Sequence, residues 1–220
     1  MMPGDVGLED MGLEDVGPEA LIRKAQSGDD GSRAALSLLL SRLYPRLLTY
    51  LRGLAAGKEA SEDACQETMV RIVTHLTGFV PRGGVGAWAS FQAWAFTTAS
   101  NVYKDHLRKS ARLVPVAGVP EDRRPAFAPE ASAGHVPATE ESAMDEMGAQ
   151  SLMDALFSLP AEQRQVFLLK AYYGYSYGEI ARIAGCPEGT AKSRLHHAVR
   201  TLRDELRDEL RDKLKGSGAL

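Results

Sequence analysis

The stretch Ser176–Leu195, SYGEIARIAGCPEGTAKSRL, decides how this chain is read. Ile180, Ala181 and Ala184 recur at helical spacing on one face, and Gly185 stands where a helix ends in a left-handed residue. Pro187 suits the first position of a following helix, and Glu188 beside it complements the positive end of the helix dipole. The spacing therefore predicts a helix-turn-helix whose second helix begins at about Pro187. In that helix Ala191, Leu195, Ala198, Val199, Leu202 and Leu206 make an apolar stripe, while Lys192, Ser193, His196, His197, Arg200 and Arg203 point elsewhere. Between Gly189 and Arg203 four cations (Lys192, Arg194, Arg200, Arg203) meet no acid, in a chain of net charge -3. That local excess is the footprint of a polyanion partner, with phosphate the obvious one.

The rest of the composition is that of a globular protein. At 220 residues, 44% hydrophobic and 25% charged, the chain is long enough for one large or two small domains. Its apolar runs are too short to span a membrane and its acidic N-terminus lacks a signal-peptide pattern, so the expected address is the cytoplasm, with no membrane insertion. Two cysteines, Cys65 and Cys186, lie 121 positions apart and read as reduced structural thiols. Catalysis finds no support. The chain has no Walker-type phosphate loop, no HExxH and no CxxC, and no nucleophile has a base beside it. Neither a catalytic residue, a metal site, a cofactor nor a small-molecule substrate is therefore expected.

Working outward, residues 1–17 read as a disordered acidic tail containing a near-duplicated GLEDMGLEDVG. Helical pattern begins at Pro18, with Leu21, Ile22 and Ala25 on one face and Gly28 as terminator. Ser32 is placed to cap a long second helix whose core face runs from Ala35 to Leu54 through Leu36, Leu39, Leu40, Leu43, Leu47, Tyr50 and Leu51, with Pro45 expected to bend or interrupt it. Ser61 is placed to cap a third, with Ala64, Cys65, Thr68, Met69, Ile72, Val73 and Leu76 inward and Glu62, Asp63, Gln66, Glu67 and Arg71 outward. After a glycine-rich loop from Gly78 to Ser90, a fourth helix turns Phe91, Trp94, Ala95, Thr98 and Val102 inward and presents Asn101, Lys104, Asp105 and Arg108 on another side. Between Ala93 and Arg112 the bases Lys104, Arg108, Lys109 and Arg112 outnumber the single acid Asp105 beside aromatic residues, a surface suited to single-stranded DNA.

Residues 111–141 carry five prolines (Pro115, Pro120, Pro125, Pro129, Pro137) and no helical period, which marks a flexible linker. Pattern resumes with Met144, Met147, Leu152, Ala155, Leu156 and Leu159, and Pro160 opens a helix carrying Val166, Phe167 and Leu169 that stops at Gly174. The last helix runs on into a ladder, Leu202, Leu206, Leu210 and Leu214, that spirals around its axis and ends in a frayed tail. No strand signal appears. The fold class expected is all-α: two small helical domains, residues 18–110 and 142–208, joined by the linker and followed by a helical extension over 209–220.

Two helical domains in this order resemble the bacterial extracytoplasmic-function (ECF) sigma factors. In the second domain LPAEQRQVFLL (Leu159–Leu169) and GYSYGEIARIAGCPEGTAKSRL (Gly174–Leu195) are similar to that family's reader of the promoter −35 element. In the first, SGDDGSRAALSLLL, LYPRLLTYL, SEDACQETMVRIVTHL and FQAWAFTTASNVYKDHLRK resemble the family's polymerase-binding and promoter-melting helices in order. The resemblance implies a transcription initiation factor whose partners are core RNA polymerase, through the β′ clamp helices and the β flap, promoter DNA and an anti-sigma factor. It implies polymerase binding by Asp63, Gln66, Glu67 and Arg71, and −10 DNA binding by Trp88, Asn101, Lys104, Arg108 and Lys109. For the −35 element it implies Thr190, Lys192, Ser193, Arg194, His196, His197 and Arg200. The loop from Phe79 to Phe91 is longer than is usual in the family and carries the additional Trp88. Two other readings stay open from the residues alone: a stand-alone helix-turn-helix regulator, and a helical protein-interaction module.

Overall fold

The structure, a computed structural model, describes residues 16–55, 57–81, 86–113 and 151–217, with the side chains of 110–113 and 208–217 excepted. Every regular element among them is helical. In chain order these are α1 (Pro18–Ser27), α2 (Ser32–Leu54), α3 (Lys58–His75), a short 3-10 turn (Leu76–Gly78), α4 (Ala87–Leu113), α5 (residues 151–158) and α6 (Ala161–Phe167). A π turn (Leu168–Tyr172), α7 (Tyr177–Ala184) and α8 (Glu188–Ser217) complete the chain. No described helix is long and apolar enough to cross a membrane. Packing divides the chain into two units, residues 1–48 with 62–114 and residues 49–61 with 115–220. The fold is thus all-α with two small helical units. Residues 1–15 of the acidic tail, residues 114–141 of the linker, Met144 and Met147, and the side chains of Arg112, Leu210 and Leu214 lie outside the described residues, while residues 111–113, expected in the linker, are the end of α4.

In the first unit, α1 buries Leu21 and Ile22 and ends at Gly28, whose φ of 70° is the left-handed conformation expected there. Gln26 fastens α1 to the end of α3: its Nε2 donates to the carbonyls of Leu76 and Phe79, each at 2.8 Å. Glu19 reaches the other end, accepting from the backbone N–H of Ala87 at 2.8 Å and so capping α4 from 68 residues away. Leu39, Leu43 and Leu47 of α2 are fully buried, as are Cys65, Thr68 and Ile72 of α3 and Phe91, Phe96 and Val102 of α4.

Several sequence expectations are corrected here. Pro45 does not interrupt α2, which runs on through it, because the proline and its neighbours Tyr44 and Arg46 are exposed and water can serve the Ser41 carbonyl that loses its partner. Ser32 is the first residue of α2, not its cap. Ser61 lies inside α3, which starts at Lys58, and its hydroxyl donates back to the Lys58 carbonyl at 2.7 Å. Val73 is 43% exposed, since it sits half a turn from Ala64 and outside the narrower stripe that packs. Trp94 and Thr98 are half-buried, and Phe96 with Ala99 fills the core positions beside them.

In the second unit Met153, Ala155, Leu156, Leu159, Ala198 and Leu202 form one buried cluster with Leu206 packed against it, and Val166, Leu169, Ile180, Ile183 and Ala191 are buried as well. Leu152, expected inward, is 42% exposed because it lines an open apolar cavity of about 320 Å³ with Met153, Leu156, Phe167, Leu168 and Tyr172. Val199 is 37% exposed at the edge of the α8 stripe. Arg164, a charged residue in the core, donates from Nη2 to the carbonyls of Phe157 (3.3 Å) and Leu159 (3.0 Å), satisfying carbonyls that the end of α5 leaves open. Its guanidinium also lies 4.6 Å from the Phe157 ring centroid.

Candidate nucleic-acid and polymerase interfaces

α7 and α8 make the helix-turn-helix, and local chemistry fixes both ends of α7. At its start Ser176 and Glu179 form a reciprocal capping box: the Ser176 N–H donates to Glu179 Oε2 at 2.8 Å, and the Glu179 N–H points to the Ser176 hydroxyl at 3.4 Å. The same hydroxyl donates to Glu179 Oε2 at 2.6 Å, and it is the foremost cause holding that carboxyl below its ordinary range. At the other end Gly185 takes φ 67°, and the Cys186 N–H reaches back to the Ala181 carbonyl at 3.0 Å. Pro187 stands just ahead of α8, where its carbonyl accepts from Ala191 N–H at 3.0 Å. The S-x-x-E signature of the capping box was present in the sequence and went unread there.

Buried Ala191 and Ala198 seat α8 against the unit, leaving Lys192, Ser193, His196, His197 and Arg200 exposed and Thr190 half-buried at its start. The cations of this helix do not share one situation. Lys192 pairs with Glu188 at 2.8 Å, which raises its pKa, and its ammonium lies 5.4 Å from the Tyr177 ring centroid. Arg194 is turned inward, 23% exposed, and is held by Glu162 of α6. Glu188 could have been anticipated from its i, i+4 spacing to Lys192; Glu162, 32 residues from Arg194, could not. Arg200 and Arg203 are exposed and enter no ion pair among the described residues. The open face of the helix is therefore Ser193, His196, His197 and Arg200, at spacings of three and four.

On α3, Asp63 and Gln66 are exposed, and Val70, 64% exposed, continues their face. Glu67 and Arg71 are half-buried and engaged: Arg71 Nη2 donates to Glu67 Oε1 at 2.5 Å and to Asp105 Oδ2 of α4 at 3.3 Å. His106 Nε2 donates to Glu67 Oε2 at 2.8 Å. That hydrogen bond is the foremost cause depressing the Glu67 carboxyl, ahead of Arg71 and against a partial desolvation. Partial burial works against the Arg71 charge, but its bonds to Glu67 and Asp105 outweigh this and raise its pKa. Glu67 and Arg71, expected outward on α3, are thus half-buried because Asp105 and His106 of α4 hold them.

On α4, Asn101, Arg108 and Lys109 are exposed and Lys104 is half-buried, with Arg108 paired to Asp105 at 2.8 Å. Trp88 is not in a loop. It lies half-buried in the first turn of α4, stacked on Phe91 with ring centroids 5.8 Å apart, in an aromatic cluster with Phe79 and Trp94. Cys65 is buried and Cys186 half-buried, and neither is in a disulfide.

Comparison with known proteins agrees with this geometry. Residues 39–113 match the Sigma-70 region 2 family and residues 149–202 match Sigma-70, region 4. The chain is 35% identical over 183 residues to the ECF RNA polymerase sigma factor SigL of Mycobacterium tuberculosis, covering 79% of this chain and 92% of that one. Among solved structures it is similar to the sigma factor RpoE of Bartonella quintana, determined in complex with the anti-sigma factor NepR, at 25% identity and a TM-score of 0.58 over 78% of this chain and 96% of that one. CnrH, solved with the cytosolic domain of CnrY, shares the fold at 22% identity and a TM-score of 0.58, covering 87% of this chain and 97% of that one. Two helical units matching sigma regions 2 and 4 in order, together with a SigL-like relative aligned over nearly all its length, settle the assignment: the chain belongs to the ECF RNA polymerase sigma factors, non-enzymatic initiation factors that direct RNA polymerase to promoters.

Proposed function

We propose that the two units divide promoter recognition between them. The second unit lays α8 in the major groove of the −35 element, where Lys192, Ser193, His196, His197 and Arg200 meet phosphates and base edges and Thr190 borders them. The first unit docks on the β′ clamp helices of core polymerase through Asp63, Gln66 and Glu67 of α3, while Asn101, Lys104, Arg108 and Lys109 of α4 hold the opened −10 strand. The proline-rich linker that follows α4 separates the two in sequence, and the β flap is the second unit's contact on polymerase. An anti-sigma factor is the corresponding regulator, by analogy with the RpoE–NepR complex, and the site of action is the cytoplasm, where polymerase works.

The observation that carries this reading is the exposed Ser193–Arg200 face of α8, mounted on a capped helix-turn-helix, in one chain with the exposed Asp63–Gln66 face of α3. Replacing Asp63 and Gln66 together with Ala tests it, because exposed polar residues contribute little to stability and much to a polar interface. The double variant is expected to fold normally and to lose co-elution with core polymerase. Co-elution at the wild-type level would remove α3 from the interface.

A further inference from the structure

Asp105 and His106 are neighbours on α4, yet both side chains reach across to α3. Asp105 Oδ2 accepts from Arg71 at 3.3 Å, and His106 Nε2 donates to Glu67 at 2.8 Å. Glu67 and Arg71 are themselves joined at 2.5 Å, so four side chains from two helices form one continuous network, His106–Glu67–Arg71–Asp105. Each keeps about a third of its surface in contact with solvent: Glu67 32%, Arg71 35%, Asp105 33% and His106 28%. The network is thus neither buried in the core nor a free surface pair. Glu67 follows Asp63 by four positions, which puts the two on one face of α3, and both Glu67 oxygens are oriented from within the network, one by Arg71 and one by His106. The other Asp105 oxygen accepts from Arg108 at 2.8 Å.

We propose that Asp105 and His106 are positioning residues of the polymerase-docking face: from α4 they fix Glu67 and Arg71 in the orientation that core polymerase meets, and Asp105, by holding Arg108 as well, ties that face to the DNA side of the same helix. This rests on the reading of α3 as the docking face. A long charged side chain that is already immobilised in the free protein has less rotamer freedom to lose on docking, which favours association without any added contact. Asp105 and His106 need not touch polymerase at all; their effect passes through Glu67 and Arg71.

The test measures the affinity of the full chain for core polymerase, alongside thermal unfolding of each variant. His106→Ala and Asp105→Asn should each bind about tenfold more weakly, the loss expected from freeing one or two long side chains. His106→Gln, whose amide can still donate to Glu67, should recover most of the affinity. In a Glu67→Ala background, His106→Ala should have no further effect, which is the signature of a residue acting through Glu67. Wild-type binding by His106→Ala and Asp105→Asn, or an equal loss with and without Glu67, overturns the positioning role provided that Asp63→Ala with Gln66→Ala still abolishes binding. If that last pair also binds as wild type, the docking face has been misread and the proposal falls with it.

Discussion

Arg194 and Arg200 lie less than two turns apart on α8, yet their charges face different partners. Arg194 is held by Glu162, whereas Arg200 is exposed. A cation that neutralises a phosphate releases counterions and contributes roughly 0.9 to the log–log salt slope of binding. Arg200→Gln should therefore lower the slope by about that amount in anisotropy titrations of the chain on duplex DNA, and Arg194→Gln should leave it nearly unchanged while weakening binding through the tilt of α8. Equal slope changes would return Arg194 to the DNA face. Glu179 gives a second residue-scale prediction. Its carboxyl is held below the ordinary range, chiefly by the Ser176 hydroxyl, so its contribution is full at neutral pH and is lost as pH falls through the folded-state value. Glu179→Gln should be less stable than wild type in urea melts at pH 7, and the gap should close in acid. A gap independent of pH would mean that the charge of Glu179 does not stabilise α7.

At the scale of elements, the helix-turn-helix depends on its two punctuation points. Ser176→Ala should cost about 1 kcal/mol of unfolding free energy, and Gly185→Ala about 1–2 kcal/mol because a Cβ is strained at positive φ. Urea denaturation of the full chain measures both, and values near zero would show that tertiary packing alone holds α7 and α8. The start of α4 makes a different prediction. Trp88 stacks on Phe91, so Trp88→Ala should lower the stability of the first unit by about 1–3 kcal/mol, and permanganate footprinting should show promoter opening slowed only to the extent that folding suffers. Slowed opening in a fully stable variant would restore a direct DNA role. Much of this was legible in sequence: apolar spacing located the helices, and Gly28 and Gly185 marked two of their ends. What escaped it were positions that depend on partners distant in the chain. Val73 and Leu152 fit a helical stripe but meet no neighbour that covers them, Trp88 joined a helix whose start is capped by Glu19, and Arg194 found Glu162.

On the scale of the whole molecule, the division into two helical units, which match Sigma-70 regions 2 and 4, was readable because each carries its own periodic pattern and the proline-rich stretch between them carries none. The individual contacts were less so, since a polar residue on an outward face looks the same in sequence whether it is exposed, as Asp63 is, or already held within the unit, as Glu67 is. Neither rival reading accounts for both units. A stand-alone helix-turn-helix regulator leaves α1 to α4 without a task, and a protein-interaction module whose basic faces bind acidic proteins does not explain why the two units match Sigma-70 regions 2 and 4 in order. The central claim, that this chain turns core polymerase into a promoter-specific enzyme, is tested most directly by run-off transcription from a genomic fragment library with purified core polymerase, with and without the chain. The account predicts discrete transcripts only when the chain is present, lost on replacing Asp63 and Gln66 together with Ala. Transcripts that are the same without the chain, or none at all despite tight binding of the chain to duplex DNA, would contradict it.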